Sequence, residues 1–109
     1  MIVSIVARDL IAPQATIRLR PKVAGLIREL ARAGTDNVPM DHLAAAIWGR
    51  SREIDLPFRC VLNTTINSAR IALKPFGIGV AGLRDATVPD KRRAPFMALR
   101  LTAPVVPHE

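Results

Sequence analysis

The chain has 109 residues, enough for one hydrophobic core and too few for two domains. Half of its residues are apolar, which excludes a disordered chain, and no apolar run approaches the roughly 20 residues that span a bilayer. One cysteine, Cys60, and two histidines exclude an internal disulfide and offer no zinc ligand set. We therefore expect no metal or other cofactor, no contact with a membrane, and a cytoplasmic location.

The net charge of +7 lies mainly in the second half of the chain. Residues 1–55 carry eight Lys/Arg against six Asp/Glu, whereas residues 56–100 carry eight against two. Such a one-sided basic surface favours a polyanionic partner, and nucleic acid is the commonest one for a domain of this size. A membrane surface is disfavoured because the cations are divided between a polar helix and a loop and do not flank an apolar face.

The first predicted elements are two short strands and a helix. Ile2–Val6 and Thr16–Leu19 are β-prone runs separated by Pro13 and Gln14. Pro21 then begins a helix that Gly34 ends. Its apolar stripe predicts a core helix without a functional role and consists of Val23, Leu26, Ile27, Leu30 and Ala31.

A second helix is predicted from Met40 to Trp48, after Pro39 and before Gly49. Its buried side is predicted to be Met40, Leu43, Ala44 and Ile47. Trp48 has two interpretations: it packs into the core, which we favour, or it lies at the surface, where its indole N–H donates to a phosphate. His42 is predicted to be an exposed polar residue.

The third predicted helix, residues 56–74, has the composition of a contact surface. Asp55 can cap it, Pro57 fits its first turn, and Pro75 with Gly77 ends it. Apolar residues recur at steps of four, three and four, at Leu62, Ile66, Ala69 and Leu73. The other side carries Arg59, Asn63, Thr64, Asn67, Ser68, Arg70 and Lys74, and no acid occurs from 56 to 84. Amides, hydroxyls and guanidinium groups can hydrogen-bond base edges and phosphates, although an ordinary amphipathic helix also has a solvated polar face.

Two strands joined by a basic loop are predicted next. FGIGVAGLR reads as a strand with Ile78, Val80 and Leu83 inward. Phe96–Leu101 reads as its partner, with Met97, Leu99 and Leu101 on one side. The loop between them, within residues 84–95, contains Lys91, Arg92 and Arg93. Residues 102–109 are predicted to be a loose tail after a single domain, 1–101.

Three helices followed by a hairpin predict an α+β fold, the winged helix-turn-helix. In that fold the third helix enters the major groove of DNA, and the hairpin wing touches the backbone or the minor groove. From about Arg18 to Leu101 the chain resembles the winged-helix effector domains of the OmpR/PhoB response-regulator family. The resemblance is carried by LRPKVAGLIRELARAG for the first helix, VPMDHLAAAIWG for the second and LNTTINSARIALKPFG for the recognition helix.

The resemblance implies binding to double-stranded DNA and hence a nucleoid-associated location in the cytoplasm. The base-contacting candidates are Asn63, Thr64, Asn67, Ser68 and Arg70. The backbone-contacting candidates are Trp48, Arg50, Arg52, Arg59, Lys74, Arg84, Lys91, Arg92 and Arg93. A lone winged helix has a modest footprint, so a homodimer on paired half-sites is expected.

The chain also departs from the family pattern. We expect no receiver domain ahead of this module, and hence no control by receiver phosphorylation. Arginines usual in the family's recognition helix are replaced by Asn67 and Ser68, and the glycine-rich second wing strand by KRRAPFMALRL.

Two functions remain open, and the DNA-binding regulator is favoured. The alternative is a winged-helix module that binds a transcription or replication factor, indicated by the few arginines of the third helix and by Phe58, Phe76 and Phe96, if some of these are exposed. An enzyme is not expected, because the sequence holds no constellation of nucleophile, base and orienting group. GIGVAG has the wrong spacing for a dinucleotide fingerprint, and no helix is predicted after it.

Overall fold

The computed structural model describes residues 2–49, 56–90 and 95–108. This part of the chain is mixed α+β, with three α-helices and several strands, as expected for the fold class. The elements in chain order are β1 (Ser4–Val6), β2 (Asp9–Ala12), β3 (Ala15–Arg18), α1 (Pro21–Arg32), β4 (Val38–Pro39), α2 (Met40–Trp48), α3 (Leu56–Leu73), a 3-10 turn (Lys74–Phe76), β5 (Val80–Arg84), β6 (Phe96–Leu101) and β7 (Val106–His108).

The helices begin and end where their sequence signals place them. Pro21 occupies the first turn of α1, and a left-handed Gly34 follows its end. Gly49, also left-handed, caps α2 with its N–H on the last carbonyls. Glycine suits both positions because a side chain is strained at positive φ. The predicted stripe of α1 is buried throughout, and Ile47 of α2 is half-buried against the core.

The N-terminal sheet is larger than the two strands that the sequence predicts. It has four strands in the order β3-β2-β1-β7. The additional strand β2 follows a turn in which Ala7 has φ +52°. Alanine rarely adopts that conformation, so the sequence contains no turn signal there.

The C-terminal residues are not the loose tail that we expected. Val106–His108 forms β7, which pairs in parallel with β1. Val105, just before it, is 2% exposed and belongs to the hydrophobic core. The two prolines of residues 102–109 do not prevent the pairing, because Pro107 lies in an edge strand of the sheet, where proline is tolerated.

A second sheet, in the order β4-β6-β5, contains the predicted hairpin. Strands β5 and β6 pair antiparallel, with Val80 opposite Leu101 and all of Ile78, Val80, Leu99 and Leu101 buried. Strand β4, which was not predicted from the sequence, pairs with β6.

Two residues of this hairpin were assigned inward and are exposed. Met97 is 53% exposed and Leu83 is 55% exposed. The register shifts between Leu83, which lies opposite Ala98, and Arg84, which lies opposite Phe96. Met97 is therefore left without a partner across the hairpin, and the simple alternation of sides that we assumed for β6 fails at this bulge.

One hydrophobic core joins the helices and both sheets. Helix α1 packs against α2, α3 and β7, while α3 also packs against β5. The hairpin is thereby held beside α3. Within the described ranges, no helix combines the length and the apolar composition needed to cross a lipid bilayer.

Candidate nucleic-acid interface

Helix α3 turns its predicted apolar stripe inward. Leu62, Ile66, Ala69 and Leu73 are buried, which confirms the stripe, and Phe58 is buried with them. Thr65 is also buried and donates its hydroxyl to the carbonyl of Val61 at 2.9 Å. Thr65 is therefore part of the packed side, and its hydroxyl is satisfied within α3.

The opposite side of α3 carries a line of exposed residues that we call the outer strip: Cys60, Thr64, Asn67 and Ile71. Their spacing of four, three and four places them on one face, at about 100° per residue. Exposed Asn63 and Lys74 lie beside the strip. With no acid from residue 56 to residue 84, the strip combines polar Thr64 and Asn67 with Cys60 and the apolar Ile71, and the exposed Lys74 lies beside its C-terminal end.

The amides of the outer face are the best placed of the five base-contacting candidates. Asn63 and Asn67 are exposed, and each amide can donate and accept toward a base edge. Thr64 is exposed, but its hydroxyl proton is donated to the carbonyl of Cys60 at 3.0 Å, so in this conformation its oxygen serves as an acceptor. Ser68 is half-buried at the flank of the strip.

Arg70, the fifth candidate, is engaged by the protein itself. Its side chain is half-buried, and Nε donates to the carbonyl of Val80 in β5 at 3.1 Å. Its guanidinium carbon lies 5.7 Å from the centre of the Phe96 ring in β6. Arg70 thus links α3 to both strands of the hairpin.

Phe96 is the centre of this link. The guanidinium carbon of Arg84 lies 4.2 Å from the centre of the same ring, within the range of a cation–π interaction. The ring also lies so close to Gly82 that a Cβ at that position would overlap it. We call Arg70, Gly82, Arg84 and Phe96 the hairpin junction, because together they join the hairpin to the end of α3.

Trp48 packs as the core interpretation expects, while remaining half-buried. Its ring meets Phe58 edge-to-face with centroids 5.2 Å apart. Lys22 donates to the carbonyl of Ile47 at 3.0 Å, and its ammonium lies 5.9 Å from the indole centroid. Trp48 therefore connects α1, α2 and α3.

The remaining backbone-contacting candidates are only partly described. Arg59 is half-buried, whereas Lys74 and Arg84 are exposed. Arg50, Arg52, Lys91, Arg92 and Arg93 lie outside the described residues.

Asp85, which follows Arg84, is hydrogen-bonded to Thr87 at the start of the loop between β5 and β6. Asp85 accepts hydrogen bonds from the Thr87 hydroxyl at 2.6 Å and from the Thr87 N–H at 2.9 Å. The hydroxyl bond, followed by the N–H bond, lowers the pKa of Asp85, while desolvation opposes them. The carboxylate is thus held in its charged form by its neighbour.

Two features of this surface were missed by the sequence interpretation. The first is Ile71, which is 73% exposed and lies on the outer strip. Its position outside the apolar stripe of α3 indicated this exposure, but the sequence interpretation did not consider it. The hairpin junction depends on Arg70 and Phe96 being brought together from distant positions, and the sequence does not signal that contact.

The three phenylalanines do not form an exposed apolar surface. Phe58 and Phe76 are buried, and Phe96 is half-buried in the hairpin junction. They were one reason for considering a protein-binding module, and the structure removes that reason.

Candidate metal sites and similar proteins were both sought. In the described ranges no group of three or more His, Cys, Asp or Glu residues could hold a metal ion. No protein-family model matches the chain, and no curated protein matches it significantly.

Proposed function

We propose that this protein is a sequence-specific regulator of transcription that binds double-stranded DNA through a winged helix. Helix α3 would lie in the major groove, and the basic hairpin would contact the phosphate backbone or the minor groove. The single observation that carries the proposal is the outer strip: an exposed line of amide, hydroxyl and apolar groups on a helix without acids.

The dimensions and the chemistry of α3 suit this role. An α-helix with its side chains is about 10–12 Å across, and the major groove of B-DNA is about 12 Å wide. Asn63 and Asn67 can each pair bidentately with adenine, which contributes about 1–3 kcal/mol of discrimination per contact. The core holds the helix on its opposite side, so presenting these amides requires no rearrangement.

The hairpin supports the same function. It is joined to α3 by the hairpin junction, and its loop sequence contains Lys91, Arg92 and Arg93. Cations beside a recognition helix provide affinity that is independent of base sequence. Arg70, in this proposal, positions the hairpin, while the exposed amides read the bases.

A matched set of variants separates these roles. Asn67→Ala should relax base preference in selection from a random duplex library, while Asn37→Ala, at an exposed asparagine between α1 and α2, should leave the preference unchanged. Replacing Lys91, Arg92 and Arg93 with alanine should weaken binding to all sequences about equally. A triple variant with altered preference and undiminished affinity would contradict the assigned roles.

A protein-binding function is the second candidate, supported by a different observation from the one first considered. Ile71, Leu83 and Met97 are large apolar residues more than half exposed on α3 and the hairpin. Where exposed apolar residues form a contiguous patch, the patch marks a site of protein–protein interaction. Recovery of a protein partner that is lost on Leu83→Ala or Met97→Ala, with no retention of duplex DNA, would favour this candidate.

A further inference from the structure

Ile71 is the most exposed of the large apolar side chains in the described ranges. It lies on the outer strip, one helical turn after Asn67, on the side of α3 away from the core. Ile71 does not contribute to the packed side of α3, which is formed by Ile66, Ala69 and Leu73 in this part of the helix. An isoleucine left in water at the C-terminal end of this strip loses the stabilisation that burial would provide.

The surroundings of Ile71 restrict what can cover it. Exposed Asn67, four residues before Ile71, and exposed Lys74, three residues after it in the 3-10 turn, are its neighbours along the chain, and no acid occurs from residue 56 to residue 84. A surface that offers hydrogen-bonding groups to Asn67, negative charge to Lys74 and a small apolar site at the position of Ile71 would complement this part of the helix. In the major groove the C5 methyl group of thymine is such a site, between the donors and acceptors of the base edges.

We propose that Ile71 is a specificity-determining residue that packs on the C5 methyl group of a thymine. The inference rests on the proposed DNA binding and adds a named base and a named atom to it. Four residues of helix advance about 6 Å, and successive base pairs are about 3.4 Å apart. With α3 lying along the groove, the thymine is about two base steps from the base that Asn67 reads.

The test compares thymine with deoxyuridine, which lacks only the methyl group. A duplex selected by the wild-type protein from a random library is prepared with each thymine replaced in turn by deoxyuridine. At one thymine the wild type should lose about fourfold in affinity, the effect of burying one methyl group. Ile71→Ala should bind both duplexes with equal affinity, below that of the wild type for the thymine duplex.

The control is Val61→Ala, at another exposed apolar residue of α3, which lies about 80° away from Ile71 around the helix. It should retain the fourfold preference at that thymine. Because Ile71 is exposed, Ile71→Ala should keep the wild-type circular dichroism spectrum and melting temperature.

Each other outcome overturns the inference in a recognisable way. Specific binding by the wild type with no loss at any deoxyuridine would refute the methyl contact and leave the proposed function intact. A preference retained by Ile71→Ala, or lost in Val61→Ala, would place the contact elsewhere. Absence of saturable duplex binding by the wild type would refute the proposed function and this inference together.

Discussion

Among the polar side chains of α3, some are hydrogen-bonded within the protein, some are exposed, and Thr64 is both. Thr65 and Arg70 belong to the first group, through bonds to Val61 and Val80. Asn63 and Asn67 belong to the second. A base-reading function can depend on the second group without disturbing the fold, because those residues are not part of the packed side.

This division could be predicted only in part from the sequence. The buried stripe follows from helical periodicity, which is a local property. Arg70 donates a hydrogen bond to the carbonyl of Val80, ten residues further along the chain. This bond forms only when the hairpin folds back on α3. The position of Ile71 among polar residues was evident from the sequence. Whether another part of the fold covers Ile71 could not be predicted, because helical periodicity is a local property.

A prediction at this scale concerns Asp85. Thr87→Val removes the hydroxyl donor and keeps the N–H donor, so the pKa of Asp85 should rise toward the ordinary aspartate value of about 3.9. In the wild type the two hydrogen bonds stabilise this turn at pH values above the ordinary pKa of aspartate. That stability is lost as the pH falls through the lowered pKa of the folded state. NMR titration of the Asp85 carboxyl carbon in both proteins measures the shift, and an unchanged pKa would show that the hydroxyl is not its main cause.

At the scale of the elements, the hairpin is the part of the fold on which the site most depends. Its position beside α3 is maintained by the hairpin junction, in which Phe96 lies over Gly82 and near both arginines. A glycine in the middle of a strand usually weakens it, unless another group must come close. At Gly82 the approaching group is the Phe96 ring.

Gly82 in β5 and Gly79 just before it provide a matched pair of variants. Gly82→Ala should displace the Phe96 ring and lower stability by about 1–3 kcal/mol. Gly79→Ala should have a much smaller effect, since its Cβ would meet Thr102 at an ordinary 3.4 Å. Thermal unfolding of both variants measures the difference. Equal melting temperatures would show that the ring does not depend on the absence of a side chain at Gly82.

The helices, the two hairpin strands and the short strands β1 and β3 were predicted from the sequence, whereas β2, β4 and β7 were not. Helices α1 and α2 end at left-handed glycines after a clear apolar stripe, so their limits could be placed within a residue or two. Strands β2, β4 and β7 have two to four residues each, too few for a period to show. Their existence depends on partners that lie elsewhere in the chain, as the pairing of β7 with β1 illustrates.

At the scale of the whole molecule, the two ends of the chain meet on one sheet, while most of the positive charge lies elsewhere in the sequence. Strand β7 joins the N-terminal sheet, and Val105 enters the common core. Residues 56–100, which contain α3 and the hairpin, carry most of the net charge. The overall asymmetry of charge was predictable from the sequence, whereas closure of the fold by its last residues was not.

This asymmetry leads to the most direct test of DNA binding. Fluorescence anisotropy with a labelled random duplex gives the affinity of the wild-type protein at several salt concentrations. If about six cations meet phosphates, the logarithm of the binding constant should fall with the logarithm of salt concentration at a slope of roughly −5. A flat response to salt, or no binding at low ionic strength, would contradict the account.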